Sequence, residues 1–263
     1  MDPATALVLF GSKDIVKKLL GPTADYLGEG LKEFTEKRIE NIKSIFSRAE
    51  KKLGEKINED GAVPPKVLKG IIEDGSYAND EITLEYYGGV LASSRSGISR
   101  DDRGATFLSL IGRLSTYQLR THYIMYKIIR ELYGRTKVKY GLHEERKKLY
   151  TYIPDTVYEK AMDFSEDENP DLLTSSALFG LLKEDLFEYP WLYAGLEETQ
   201  HEFKDAREAG LLFTPSALGF ELFMWSHGYS HLGIEEFIKL SFESELDNYV
   251  TINPGYAAVE EPE

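Results

Sequence analysis

The sequence contains no cysteine, which removes disulfides, thiolate nucleophiles and cysteine-ligated metals from consideration. Long apolar runs are missing as well. "ATALVLF", Ala4–Phe10, is the longest near the start at seven residues, against the roughly 20 needed to cross a bilayer. No basic stretch precedes it to make a secretory leader. There is no G-x-x-x-x-G-K-[ST] loop, no G-x-S-x-G elbow and no dinucleotide fingerprint, so the easily recognised nucleotide and hydrolase classes drop out. The last 113 residues are poor in cations: Thr151–Glu263 has 5 Lys+Arg against 24 Asp+Glu, a net of −19. A cytoplasmic, cofactor-free protein is the expectation, and 263 residues are enough to bury a core without staples.

What is present divides by charge. Met1–Tyr150 carries 26 Lys+Arg against 21 Asp+Glu, net +5, so the overall −14 hides two parts of opposite sign. Such segregation points to different partners for the two parts, or to parts that face each other.

The first part reads as helix. Gly21-Pro22 separates a short amphipathic stretch, Lys13–Leu20, from a long one with apolar residues at Leu27, Leu31, Phe34, Ile42, Ile45, Ala49 and Leu53, a three-four spacing. "VPPKVLKGIIEDGSYANDEITLEYYGGVLASS" then predicts a helical hairpin. Pro64-Pro65 starts a helix with Val67, Leu68, Ile71 and Ile72 on one side, and Asn79 is placed to cap a second one carrying Ile82, Tyr86, Tyr87, Val90 and Leu91. A loop, "SSRSGISRDDRG", leads to a short helix over Ala105–Leu114. "STYQ", Ser115–Gln118, has the capping-box form and starts another helix that ends near Gly134.

The second part is less regular. "KKLYTYIPDTVYEKA" suggests an edge strand interrupted by proline. "DFSEDENPD" reads as an exposed loop, and Leu172–Leu186 and Leu192–Ala209 read as helices. "AGLLFTPSALGFELFMW" looks like the end of a winged-helix unit, a strand followed by a Thr-Pro-started helix. The predicted fold is therefore mainly α: a long amphipathic helix plus helical hairpins over 1–142, then an acidic α-rich region with a degenerate winged-helix-like unit over 143–263.

This layout resembles the Abi-alpha family of bacterial abortive-infection proteins. The resemblance rests on the "GP" break before a long helix, on the proline-led hairpin Val63–Ser94, on "FLSLIGRLSTYQLRTHYIMY" and on the Leu-rich, Thr-Pro-containing "LLFTPSALGFELF". It covers most of Leu20–Tyr133 and, more loosely, Leu172–Trp225. The family's tryptophan in the second hairpin helix is replaced here by Tyr86 or Tyr87 beside Gly88-Gly89. The resemblance implies a role in antiphage defence, as a non-enzymatic interaction or effector protein. It carries over no catalytic residue.

Four candidate sites follow from residue types. Arg95, Ser96, Ser99, Arg100 and Arg103 crowd a loop before a helix amino terminus, where guanidinium forks and free N–H groups bind phosphate, carboxylate or a partner. The alternative is a solvated loop whose arginines pair with Asp101, Asp102 or the acidic second part. Lys37, Arg38, Lys43, Arg48, Lys51 and Lys52 form a basic face, but Glu36, Glu40 and Glu50 are interleaved, as in ordinary helix-surface pairing. His227 and His231 have the spacing of two metal ligands on a helix. Gly228 and Gly233 argue against a regular helix there, and no metal is expected. The candidate recognition helix Leu196–Ala209 carries a net −3, so a DNA duplex would repel it and a protein partner fits better. Alternatives to the defence reading are a nucleotide- or phosphate-directed enzyme using the Arg95–Arg103 loop, and a membrane-perturbing effector whose Ala4–Leu20 segment inserts. The long seam from Leu27 to Leu53 also predicts self-association.

Overall fold

In a computed structural model, the chain is described at residue 18 and over residues 36–78, 80–98, 100–133 and 138–240. The part of the long helix expected between Pro22 and Glu36 lies outside the described residues, as do the Gly134 stop and, apart from Lys18, the Ala4–Leu20 segment. The described chain is mostly helical, with one small antiparallel sheet. By packing it divides into two units: one runs to Thr116 and takes back Met224–His231, and the other comprises Tyr117–Phe223 with the residues from Leu232. The division thus falls before residue 142, where the sequence reading ends its first region, because the helix that follows Ser115 packs with later residues.

In the first unit, α1 (Glu36–Leu53) buries Ile42, Ile45, Phe46 and Ala49. Helix α2 (Pro65–Glu73) starts on proline and buries Val67, Leu68, Ile71 and Ile72, the face that the spacing predicts. A 3-10 turn at Gly75–Tyr77 leads to α3 (Glu81–Ser93). Its cap is Asp80, not Asn79: the Asp80 carboxylate accepts from the Thr83 N–H at 3.0 Å. Helix α3 is not one-sided. Every residue from Leu84 to Ser93 is buried, the pattern of a helix enclosed by its neighbours.

Gly88 and Gly89 explain that enclosure. A Cβ at Gly88 would stand 2.6 Å from the Arg48 Cβ of α1, and one at Gly89 would stand 1.7 Å from the Ser226 carbonyl oxygen. Ser93 of α3 also holds the returning segment: its Oγ donates to the Trp225 carbonyl at 2.8 Å, and its carbonyl accepts from Ser230 Oγ at 2.5 Å. Trp225 stacks on Phe107 of α4 (Gly104–Arg113), with ring centroids 4.6 Å apart.

In the second unit, α5 (Thr116–Tyr133) begins directly after Ser115 and, beyond its first residue, supplies buried Leu119, Tyr123, Ile124, Tyr126 and Ile129. After the short α6 (His143–Arg146) come β1 (Thr151–Pro154), α7 (Asp155–Met162) and α8 (Pro170–Lys183), then β2 (Phe187–Ala194), α9 (Leu196–Glu202) and β3 (Gly210–Pro215). The strands pair antiparallel in the order β1-β3-β2, with Ile153 opposite Leu211 and Tyr193 opposite Leu211 on the other side. β3 is central and wholly buried. β1 lies at an edge, as expected, but it ends on Pro154 rather than being interrupted by it, and at an edge proline is tolerated.

The helix expected over Leu192–Ala209 is corrected. Its first residues belong to β2, Gly195 ends the strand, and α9 stops at Glu202. Phe203 and Ala206 then turn inward onto Tyr152, Ala194 and Leu212. Burying those two apolar groups outweighs the helical propensity of the charged run around them.

The strand-then-helix order expected for "AGLLFTPSALGFELFMW" is present: β3 leads into α10 (Ala217–Trp225). Phe220 and Phe223 of α10, both in the second unit, meet Tyr126, Tyr140 and Phe237 edge-on or tilted, with Phe220 4.8 Å from Phe237 and 5.0 Å from both tyrosines.

Candidate functional site

The Ser93–Gly104 loop does not gather its arginines. Arg95 serves as a clamp on backbone: Nε donates to the Lys18 carbonyl at 2.8 Å, Nη1 to that of Lys56 at 3.0 Å, and Nη2 to Ile57 at 3.3 Å and to Glu59. Three of these carbonyls belong to or flank a 3-10 turn, Gly54–Asn58, and that of Lys56 also accepts from the Glu59 N–H at 3.2 Å. Partial burial lowers the Arg95 pKa, and nearby Glu59 and Asp60 oppose that shift. Arg103 forms a two-point pair with Asp101, both bonds 2.8 Å, and its guanidinium lies 5.3 Å from the Trp225 ring. The hydrogen bond from Arg103 holds the Asp101 carboxyl below its usual range.

Ser96 pairs through its backbone with Ala62, and its Oγ accepts from the Ile98 N–H at 3.2 Å. Arg100 is exposed, and Ser99 lies outside the described residues. Helix α4 follows with no side-chain cap from Arg103. The geometry matches the paired-loop alternative for Arg103 with Asp101, and adds a structural task for Arg95 that the sequence does not signal.

Nor is the basic face of α1 a continuous surface. Arg48 and Lys52 turn inward to Glu85 of α3, at 3.1 and 2.5 Å, and Arg48 also pairs with Glu81. Glu85 is buried. Arg38 lies 4.0 Å above the Tyr77 ring and donates to Ser76 Oγ at 3.1 Å. Lys43 and Lys51 remain exposed, as does Lys37 at the start of the helix.

His227 and His231 do not share a helix. α10 ends at Trp225, and Gly228 between the histidines has φ +89°. His227 is buried, whereas His231 is exposed, with its Nε2 3.2 Å from the Lys56 ammonium. Desolvation, with Lys56 adding to it, pushes the His231 pKa down. Among the described residues no group of three His, Asp or Glu side chains is placed to hold a metal.

The surface with most unexplained chemistry lies in the second unit, on α8 and β2. Asn169 caps α8, accepting from the Leu172 N–H at 3.1 Å, and Pro170 occupies its first turn. The helix buries Thr174, Ala177, Leu178 and Leu181, which satisfies one stripe. Leu172 and Phe179, seven residues apart and so on one side of the helix, stay 69% and 61% exposed.

Tyr189 of β2 is 68% exposed, beside a register shift in the strand. Phe179 meets Trp191 edge-on at 5.5 Å, and Tyr189 lies 6.4 Å from the same ring. Sequence reading misses these residues, although "LLTSSALFGLL" contains more large apolar groups than one buried stripe needs.

Beyond Trp191, Tyr193 approaches Asp155, the first residue of α7. Burial raises the Asp155 pKa to about 6, with Glu159, Glu208 and Asp171 adding to it and a hydrogen bond from Tyr193 opposing it. Asp155 Oδ1 is shielded from solvent and has no hydrogen-bond partner. At the base of the unit His122 is fully buried, with Nε2 3.1 Å from the Gly219 carbonyl, and burial drives its pKa down to about 3. It is a neutral core residue.

Among the described residues no helix is long and apolar enough to cross a membrane. Comparison with known proteins finds no matching family model, no matching curated protein and no matching solved structure.

Proposed function

We propose that this chain is a component of a bacterial antiphage, abortive-infection defence system and acts there by binding a protein rather than by catalysis. The defence assignment rests on the resemblance over Leu20–Tyr133 and Leu172–Trp225. The mode of action rests on one observation: α8 exposes Leu172 and Phe179, where a nucleic-acid reader would expose cations.

The order of elements in the second unit supports a winged-helix-like reading. Helix α5 precedes β1, α7 and α8 separate β1 from β2, and the strands run β1-β3-β2. In a helix-turn-helix arrangement the second helix of the pair reads the duplex. On that reading the place falls to α8 rather than to the Leu196–Ala209 stretch. The exposed residues of α8 are Asp171, Leu172, Ser176, Phe179 and Lys183, which provide no net cation for phosphate.

Against the phosphate-directed alternative stand the fixed partners of Arg95 and Arg103. The test pairs two measurements. Cells expressing the wild type should resist phage, and Phe179→Ser should abolish protection with little change in melting temperature. Mobility shifts with short duplexes at physiological salt should show no retention. Undiminished protection by the variant, or tight sequence-dependent retention, would overturn the reading.

A further inference from the structure

We propose that the α8–β2 face of the second unit binds a partner polypeptide segment carrying a lysine or arginine and, a few residues away, a large apolar side chain. The proposal rests on the protein-binding reading above and names the chemistry of the partner.

The apolar half of the face is Leu172 and Phe179 of α8 with Tyr189 of β2, the rings of Phe179 and Tyr189 lying against Trp191. An exposed cluster of large side chains on an otherwise strongly acidic region marks a contact surface. The rings are held by their mutual contacts at 5.5 and 6.4 Å, so little ordering remains to oppose binding.

The anionic half adjoins it. Side chains two apart on a strand share a side, so Tyr193 continues the face from Trp191 to Asp155. There Asp155, Glu159, Asp171 and Glu208 concentrate negative charge, and none of the four makes an ion pair among the described residues. Like charges held together without a counterion favour any arrangement that brings one. A cation from a partner supplies it.

Charge decides among occupants. A second copy docked with the twofold axis at these carboxylates would set them against their own image, and nucleic acid has their sign. A cationic segment is complementary in both halves.

Geometry fixes the spacing. From Asp171 to Phe179 is eight residues of helix, about 12 Å at 1.5 Å per residue. An extended segment covers that distance in about three to four residues, so its cation and its apolar anchor should be that far apart.

The test uses the full chain and fluorescence anisotropy with synthetic 12-residue peptides. Each peptide has one Arg-Lys pair and one Trp, at separations from one to seven residues, with glutamate-for-cation controls. Binding should peak at a separation of three to four and disappear in the controls. It should weaken at least tenfold in Phe179→Ser, in Leu172→Ser, and separately in the double variant Asp155→Asn with Asp171→Asn. Only the carboxylate double variant should lose its salt dependence. Lowering the pH through about 6 should weaken wild-type binding, since Asp155 is faced by Glu159 of α7, Asp171 of α8, Tyr193 of β2, Tyr152 of β1 and Glu208.

Absence of binding by every peptide, equal binding by the glutamate controls, or a Phe179-dependent dimer in light scattering would each overturn the inference. If Phe179→Ser also leaves phage protection intact, the protein-binding reading fails with it. If protection is lost while no cationic peptide binds, that reading stands and only the partner chemistry is wrong.

Discussion

Glu85 occupies the most enclosed helix of the first unit and answers two cations, Arg48 and Lys52. A buried charge left without its partner costs about 3–5 kcal/mol, whereas replacing a whole buried group by apolar residues of similar size is often neutral. Glu85→Leu should therefore lower the denaturation free energy by an amount in that range, and adding Arg48→Met and Lys52→Met should recover most of it. Urea titrations of the single and triple variants check this.

Two other residues oppose each other in acid. His122 has its folded pKa near 3, below the unfolded value of 6.5. The unfolded chain takes up the proton first, so stability falls as pH drops below about 6.5, at a limiting slope of about 1.4 kcal/mol per pH unit. Asp155 has its folded pKa raised to about 6 from 3.8. Here the folded chain protonates first, so stability is gained as pH falls from about 6 toward 4. Melting temperature should accordingly vary little between pH 6 and 4 in the wild type. Asp155→Asn should be more stable than wild type at pH 7 and more acid-sensitive below 6. None of this is legible in the sequence, because burial sets both shifts and "RTHYIMY" gives no sign that His122 faces the core.

At the scale of elements, the two hairpin helices are legible because their apolar spacing and start signals agree, Pro65 at one start and a cap at the other that the sequence puts on Asn79, one residue before the observed Asp80. The spacing in α3 suggests one apolar side although the helix is buried all round; "YYGGV" holds the clue, since adjacent glycines within a helix leave room for a neighbour's close approach. Gly89→Ala would drive a methyl into the Ser226 carbonyl at 1.7 Å. A loss of at least about 2 kcal/mol is expected from that overpacking, against about 1 kcal/mol gained from helix propensity. Chemical denaturation should show the net loss.

β2 hides from a sequence reading because "FEYPWLYAGLEETQ" runs a strand into a helix through a single glycine, and the pairing that selects strand comes from the later β3. The loop between α3 and α4 separates by its contacts. Arg95→Glu should destabilise most, because it removes the hold on the Lys18, Lys56, Ile57 and Glu59 carbonyls and sets a carboxylate beside Glu59 and Asp60. Arg103→Glu should cost less, and Arg100→Glu should stay within about 0.5 kcal/mol of wild type. Thermal melts of the three variants give the order, and equal losses would refute the clamp.

For the molecule as a whole, the charge asymmetry and the helical character are open to the sequence, while the packing division at Thr116 is not. That division depends on where α5 finds its apolar partners, and only three-dimensional pairing shows it. The same asymmetry leads to a prediction about salt. If a cationic segment is the natural partner, association in cell extracts should weaken steadily between about 0.05 and 0.5 M salt as screening shortens to a few ångströms, whereas an association driven by Phe179 alone would hold.

The return of Met224–His231 to the first unit has a consequence during synthesis. Trp225, Ser226 and Ser230 are needed to seal α3, yet they are translated more than a hundred residues after α4 begins. At about 5–20 residues per second, the ribosome therefore keeps the earlier helices waiting for several seconds to some twenty seconds. During that interval the glycine-lined side of α3 has no cover, and the nascent chain is exposed to chaperones and proteases. A message cut short before the codon for Trp225 lacks the segment that covers Gly89 and bonds to Ser93, so its first unit should be less stable than that of the full chain.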